Sequence, residues 1–192
     1  MNALTLNLQP VIKLTDELFE QLATSNCDLQ LELTAKGELV IMPPTGGETG
    51  ERNLEIEGQL WYWNRQTKLG KAFNSSTGFK LPNGATRSPD AAWIIQSRWN
   101  TLTLQKRKKF PPLCPDFVVE LLSETDDWQE GQAKMQEYLE NGIRLGWLID
   151  PKTKQVAIYR PYRDVEVLES PNTLSGEDVL PGFVLNLQNI FN

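Results

Sequence analysis

Pro115-Asp116-Phe117-Val118-Val119-Glu120-Leu121-Leu122-Ser123-Glu124 has the composition of a strand buried on both faces, opened by a proline and closed by a polar cluster. Glu120 stands in the middle of it. A carboxylate inside an apolar strand is costly unless it is paired, protonated or bound to a metal. The functional reading of the chain starts from that misfit.

On either side the pattern alternates between strands and helices. Ser88–Ile95 reads as a second buried strand with Asp90 at its entry, joined to the first by a connection over 97–113 that holds a short basic helix. A helix begins at Asp127-Trp128 and runs to about Glu140, stopped by Asn141-Gly142, with its core face centred on Trp128, Met135 and Leu139. Leu145–Ile149 is another buried strand, 156–159 and 165–168 an antiparallel pair, and 179–187 an extended tail. Upstream, residues 1–10 read as a loose arm or short edge strand, Thr15 caps a helix carrying Leu18, Phe19 and Leu22, and 29–42 form a hairpin around Lys36-Gly37. A longer helix over about 48–66 has its apolar centre at Ile56, Leu60 and Trp63, closely flanked by Arg52, Asn53 and Gln59, with Glu55 on the margin. Short strands follow at 71–74 and 78–81, before an Asn83-Gly84 turn. Trp61, Trp63, Trp93, Trp128 and Trp147 read as core. Without an internal repeat, linker or low-complexity tract, residues 1–192 are expected to form one α/β domain.

Composition narrows the chemistry. The chain has 192 residues, 40% hydrophobic and 23% charged, as expected of a globular protein. No apolar run approaches the roughly 18 residues of a membrane span, and the N-terminus lacks the pattern of a signal peptide, so a cytoplasmic protein without membrane contact is expected. Histidine is absent, which removes Ser-His-Asp and Cys-His catalysis and histidine-based zinc or haem sites. Cys27 and Cys114 read as free buried thiols. The formal charge of -6 weighs against indiscriminate DNA binding, and Lys106-Arg107-Lys108-Lys109 is the one dense basic run.

If strands 90–95 and 116–122 are antiparallel neighbours, the start of one lies beside the end of the other, and Asp90 comes near Glu120 or Leu122. Asp116 shares a strand face with Glu120 but stands about 13 Å away along the strand, too far to share a metal. Asp90 is therefore the expected partner. Two such acids repel unless a cation lies between them, and a hard ion such as Mg²⁺ suits all-oxygen ligands. Leu122 supplies no lysine on that face. Lys134, beside Tyr138 on the margin of the following helix, is the candidate, because its stem can cover apolar surface while its ammonium reaches the strand end. Plainer readings stay open: Asp90 as a turn cap, Glu120 paired with an arginine such as Arg87, Lys134 as a solvated helix lysine, and 106–109 as an exposed face.

These residues resemble the PD-(D/E)XK nuclease superfamily and, more closely, the bacterial Uma-two family, whose members are described as restriction endonucleases. The resemblance rests on Met42-Pro43-Pro44, Ser88-Pro89-Asp90, Pro115–Ser123, Lys134-Met-Gln-Glu-Tyr138 and Gly146–Pro151 in this order. It implies an α/β, restriction-endonuclease-like core: a central mixed sheet flanked by helices, with additional antiparallel strands at the N- and C-terminal sides. It also implies phosphodiester cleavage dependent on Mg²⁺ (or Mn²⁺), with Asp90 and Glu120 holding the metal and Lys134 standing in for the lysine missing at Leu122. Nucleic acid, DNA in the first place, is the expected substrate, and a homodimer the expected assembly. An acid of the first core helix often joins such sites, and Glu55 is the nearest here. The competing functions are a catalytically silent binding or assembly module on the same fold and, last, metal-free hydrolysis by two carboxylates.

Overall fold

The computed structural model describes residues 3–192, so the arm read at 1–10 is seen from residue 3 onward. In chain order the N-terminal elements are β1 (Leu4–Leu6), α1 (Asp16–Ser25), β2 (Gln30–Leu33), β3 (Leu39–Met42) and α2 (Gly47–Thr67). Then come β4 (Gly70–Asn74), β5 (Phe79–Lys80), β6 (Thr86–Arg87), β7 (Ala91–Ile95), α3 (Gln96–Thr101) and α4 (Leu104–Arg107). The remainder is β8 (Phe117–Leu121), α5 (Trp128–Glu140), β9 (Leu145–Asp150), β10 (Gln155–Tyr159), β11 (Glu166–Glu169), β12 (Thr173–Ser175) and β13 (Val184–Asn186).

A six-stranded sheet in the order β11-β10-β9-β8-β7-β4 forms the centre; β8 and β9 are parallel and the other pairs antiparallel. The parallel pair needs a crossover, and α5 provides it. Side chains alternate across β8. Phe117, Val119 and Leu121 pack with Ile56, Leu60 and Trp63 of α2 and with Phe183 and Leu185. Val118 points the other way, into a second core with Met135 and Tyr138 of α5, and Glu120 shares that face by the two-residue period. The fold thus matches the expected mixed sheet with helices on both faces. The extra antiparallel strands are a five-stranded sheet, β1-β3-β2-β6-β5, and the β12–β13 hairpin.

Four details differ from the sequence reading. The strand expected at 88–95 is divided: β6 ends at Arg87 in the small sheet and β7 begins at Ala91 in the large one. Pro89 has no N–H to give to a ladder, so the chain changes sheet there, with Asp90 at the crossing. The buried face of α5 is Gly131, Met135 and Tyr138, with Leu139 only partly buried, which turns the helix toward Glu120. Trp61 is 53% exposed under the Arg65 guanidinium, because the buried stripe of α2 runs through Asn53, Ile56, Leu60 and Trp63 on another face. Both cysteines are free as expected, but only Cys114 is buried; Cys27, expected to be buried, is exposed.

Gly131 sets the approach of α5 to the sheet. A Cβ there would lie 2.8 Å from Leu148 Cδ1 and 3.1 Å from Leu122 Cδ2. The helix therefore sits close enough for Lys134, one turn on, to reach the end of β8. Gly131→Val forces α5 outward and lowers stability by about 1–3 kcal/mol, the usual cost of overpacking, as read from the denaturant midpoint. An unchanged midpoint would show that the close approach is not needed.

Candidate functional site

β7 and β8 pair with Ala91 opposite Val119, and one further step of that register sets Asp90 opposite Glu120. Asp90 bonds across the seam rather than capping its own turn. Its Oδ2 accepts the Leu121 N–H at 2.8 Å and its Oδ1 accepts from Asn53 Nδ2 of α2 at 3.1 Å. Burial raises the Asp90 carboxyl above its ordinary range, against the opposing pull of the Leu121 N–H and the Lys134 charge. Burial also pushes the Glu120 carboxyl up to about 7; the Lys134 ammonium opposes the rise, and Asp90 and Glu32 reinforce it.

Lys134 meets Glu120 directly. Its Nζ lies 3.0 Å from each Glu120 oxygen and 3.1 Å from Glu32 Oε1. Burial disfavours the ammonium, but Glu120 and Glu32 prevail and hold its pKa above the ordinary lysine value. One helical turn further, Tyr138 donates its hydroxyl to Glu120 Oε1 at 3.0 Å. Burial, then Glu120 and Glu32, raise the Tyr138 phenol well above its usual range, so it stays protonated and serves as a donor.

Glu32 is the member that the sequence reading missed. It is 2% exposed on β2, pointing away from Leu31 and Leu33, which pack with Phe19. It accepts from the Ser88 N–H at 2.8 Å and from Arg87 at 3.0 Å, and Arg87 also pairs with Glu137 of α5. Burial works against the Glu32 charge, yet Lys134, Arg87 and the Ser88 N–H hold its carboxyl below the ordinary value. In Leu31-Glu32-Leu33 the alternation reads as a solvent-facing acid; the only signal available was that Arg87 and Lys134 needed anions. Arg87 pairs with Glu32 and Glu137, and Lys134 is the cation paired with Glu120.

Other candidates lie elsewhere. Asp116 accepts the Ile95 N–H at 2.9 Å and pairs with Arg98 at 2.9 Å, fastening β7 to the start of β8. Glu55 accepts from Gln59 at 2.9 Å, and the α2 residue that faces Asp90 is Asn53. Within the basic run, Arg107 lies over Trp99 and Lys109 pairs with Glu20.

Asp90, Glu120 and Lys134 open onto a cleft of about 500 Å³ walled by Met42–Gly47 on one side and Leu121–Asp127 on the other. The segments Met42-Pro43-Pro44 and Ser88-Pro89-Asp90, distant in sequence, meet there, because β3 and β6 flank β2 in the small sheet. Among the described residues, Lys134 is the one cation lining the cleft, against Glu48, Asp90, Glu120, Glu124, Asp126, Asp127 and Glu130.

Comparison with known proteins finds a matching family model and matching solved structures. The model of the Uma2 (Uma-two) family, described as "putative restriction endonuclease", matches residues 16–188. The crystal structure of a putative nuclease belonging to DUF820 from Anabaena variabilis ATCC 29413 superposes with a TM-score of 0.70 at 20% identity, covering 84% of this chain and 89% of that one. That likeness is one of fold. No curated protein matches the chain.

The two buried glutamates act on stability in opposite directions. Glu32, held low, contributes stability above the ordinary carboxyl pKa of 4.5 and loses it as pH falls through its folded value. Glu120, raised from 4.5 to about 7, imposes a penalty that is absent in acid and complete above neutrality. In EDTA, Glu120→Gln therefore gains roughly 2–3 kcal/mol on the wild type between pH 5 and pH 8. Denaturant unfolding at the two pH values measures it; parallel profiles would contradict the assignment.

Proposed function

The chain belongs to the Uma2 family, and we propose that it is an endonuclease hydrolysing phosphodiester bonds of nucleic acid, DNA in the first place, with Mg²⁺ or Mn²⁺ held by Asp90 and Glu120. The observation that carries this reading is Glu120, an acid inside a buried strand, set opposite Asp90 and hydrogen-bonded to Lys134. The donor set fits a hard divalent ion. Both candidate ligands are carboxylates, and burial raises both, so each is short of compensating positive charge. Fully ionised, the cluster of Glu32, Asp90, Glu120 and Glu137 with Arg87 and Lys134 carries two more negative than positive charges, which one divalent cation would balance.

Such a cation supplies Lewis-acid stabilisation of the phosphoryl oxygens and eases deprotonation of the attacking water. The chain's own groups hold and orient. Lys134 stays protonated, so it acts as a fixed positive donor that orients water or meets negative charge developing on the phosphate, and not as a base. Glu32 anchors the ammonium from behind, and the Tyr138 hydroxyl fixes the Glu120 carboxylate through Oε1. With seven acids on its walls, the cleft repels a phosphodiester until a cation is present.

A second reading, a nuclease fold kept as a binding module, draws on one observation: the Lys134 ammonium is already engaged by both Glu120 and Glu32.

Plasmid nicking separates the two. The wild type cleaves with Mg²⁺ or Mn²⁺ and stops in excess EDTA. Asp90→Ala and Glu120→Ala each lose at least about 100-fold, and Lys134→Met loses a comparable factor. Undiminished cleavage by the Asp90→Ala/Glu120→Ala double variant would reject this site, and silence of the wild type with every divalent ion would favour the binding module.

A further inference from the structure

We propose that Asn53 donates a third protein oxygen, its side-chain Oδ1, to the divalent cation at Asp90 and Glu120; this rests on the reading of those two acids as metal-holding. Asn53 is 9% exposed and lines the cleft. Its Nδ2 bonds Asp90 Oδ1 at 3.1 Å. An ionised carboxylate only accepts, so the amide must turn its NH₂ edge to Asp90, which leaves Oδ1 as the free end of the group. That Oδ1 is buried, and among the described residues no donor reaches it. Buried carbonyl oxygens in folded proteins are rarely left so, and one beside Asp90, in the cleft that Glu120 also lines, needs an electropositive partner.

The chemistry of the site favours an amide over another acid. A hard divalent ion accepts amide carbonyl oxygens alongside carboxylates. Among the described residues, no three of histidine, cysteine, aspartate and glutamate gather where they could hold a metal, so oxygens beyond the two acids come from water or from neutral groups such as this amide. An added carboxylate would deepen the negative excess around Glu120; an amide contributes a lone pair without charge. Asn53 is also held in place for the task. It belongs to the same buried stripe of α2 as Ile56, Leu60 and Trp63, so the packing of that helix fixes where the amide stands. One side chain thus orients Asp90 through its nitrogen and offers its oxygen to the ion.

The alternative role is confined to the hydrogen bond: Asn53 would position Asp90 and touch nothing else. Mn²⁺ binding to the protein without nucleic acid distinguishes the two, read from the electron paramagnetic resonance of unbound Mn²⁺ and from the rise in thermal midpoint on adding Mn²⁺. As a ligand, Asn53→Ala weakens Mn²⁺ binding by at least about tenfold and shrinks the thermal shift, while Asn53→Asp binds at least as tightly as the wild type. A folded Asn53→Ala that binds Mn²⁺ like the wild type overturns the proposal. So does an Asn53→Asp variant that loses affinity, since repulsion of Asp90 would then be its only effect. Should Asn53→Ala fail to fold, the isosteric Asn53→Asp decides alone. Asp90→Ala and Glu120→Ala separate this from the underlying reading: if they lose Mn²⁺ while Asn53→Ala keeps it, only the role of Asn53 falls, and if they bind Mn²⁺ unchanged, the two-acid site falls with it.

Discussion

The ammonium of Lys134, shared between Glu120 of the large sheet and Glu32 of the small one, is the interaction on which the rest of the structure depends. Neither acid could remain ionised in its surroundings alone, since the desolvation of an isolated carboxylate exceeds what a single hydrogen bond returns. The cluster resolves the problem by distribution. Glu32 receives two cations and a backbone N–H and is comfortable as an anion, whereas Glu120 receives one cation and a phenol and is left poised near neutrality. The same chemical group therefore has two characters, set by how many donors each strand can bring.

That inequality has a structural origin. Glu32 sits where β2 meets β6, next to Arg87 and the Ser88 N–H. Glu120 sits toward the end of β8, where the neighbouring strand offers another acid instead of a base. A buried ion pair is weak evidence of stability, because apolar replacements often do as well. An incompletely compensated one at the mouth of a cleft is better evidence of use.

Much of this was legible in the sequence. Glu120 announced itself because every neighbour in its strand is apolar, and Asp90 followed from strand adjacency alone. Lys134 could be placed because helical periodicity and the absence of a lysine at Leu122 left it as the reachable cation. Glu32 was hidden by its own regularity: in an alternating strand a polar residue is expected to face water, and only the packing of the small sheet against α5 reverses that. Tyr138 was set beside Lys134, off the core face, because that face was centred on Trp128, Met135 and Leu139. In the fold it is wholly buried, since that hydroxyl finds Glu120. Asn53 was recognised as flanking the apolar centre of α2, but a wheel gives no depth along the helix axis and cannot say what the residue faces. Trp61 erred the other way; bulk suggested burial, and the stripe of α2 passes it by.

The passage of the chain from one sheet to the other at Ser88-Pro89-Asp90 bears on modularity. Ser88 bonds Glu32 on one side of the proline, and Asp90 bonds Leu121 on the other. The site is therefore not the property of the six-stranded sheet to which its two acids are attached. A minimal version trimmed to that sheet and its helices would keep Asp90, Glu120 and Lys134 in sequence, yet take away the counter-charge behind the lysine and the Ser88–Glu32 bond that fastens the chain just before Asp90. In this chain the small sheet is no decoration that lineage or design could shed; it is the rear wall of the charge cluster.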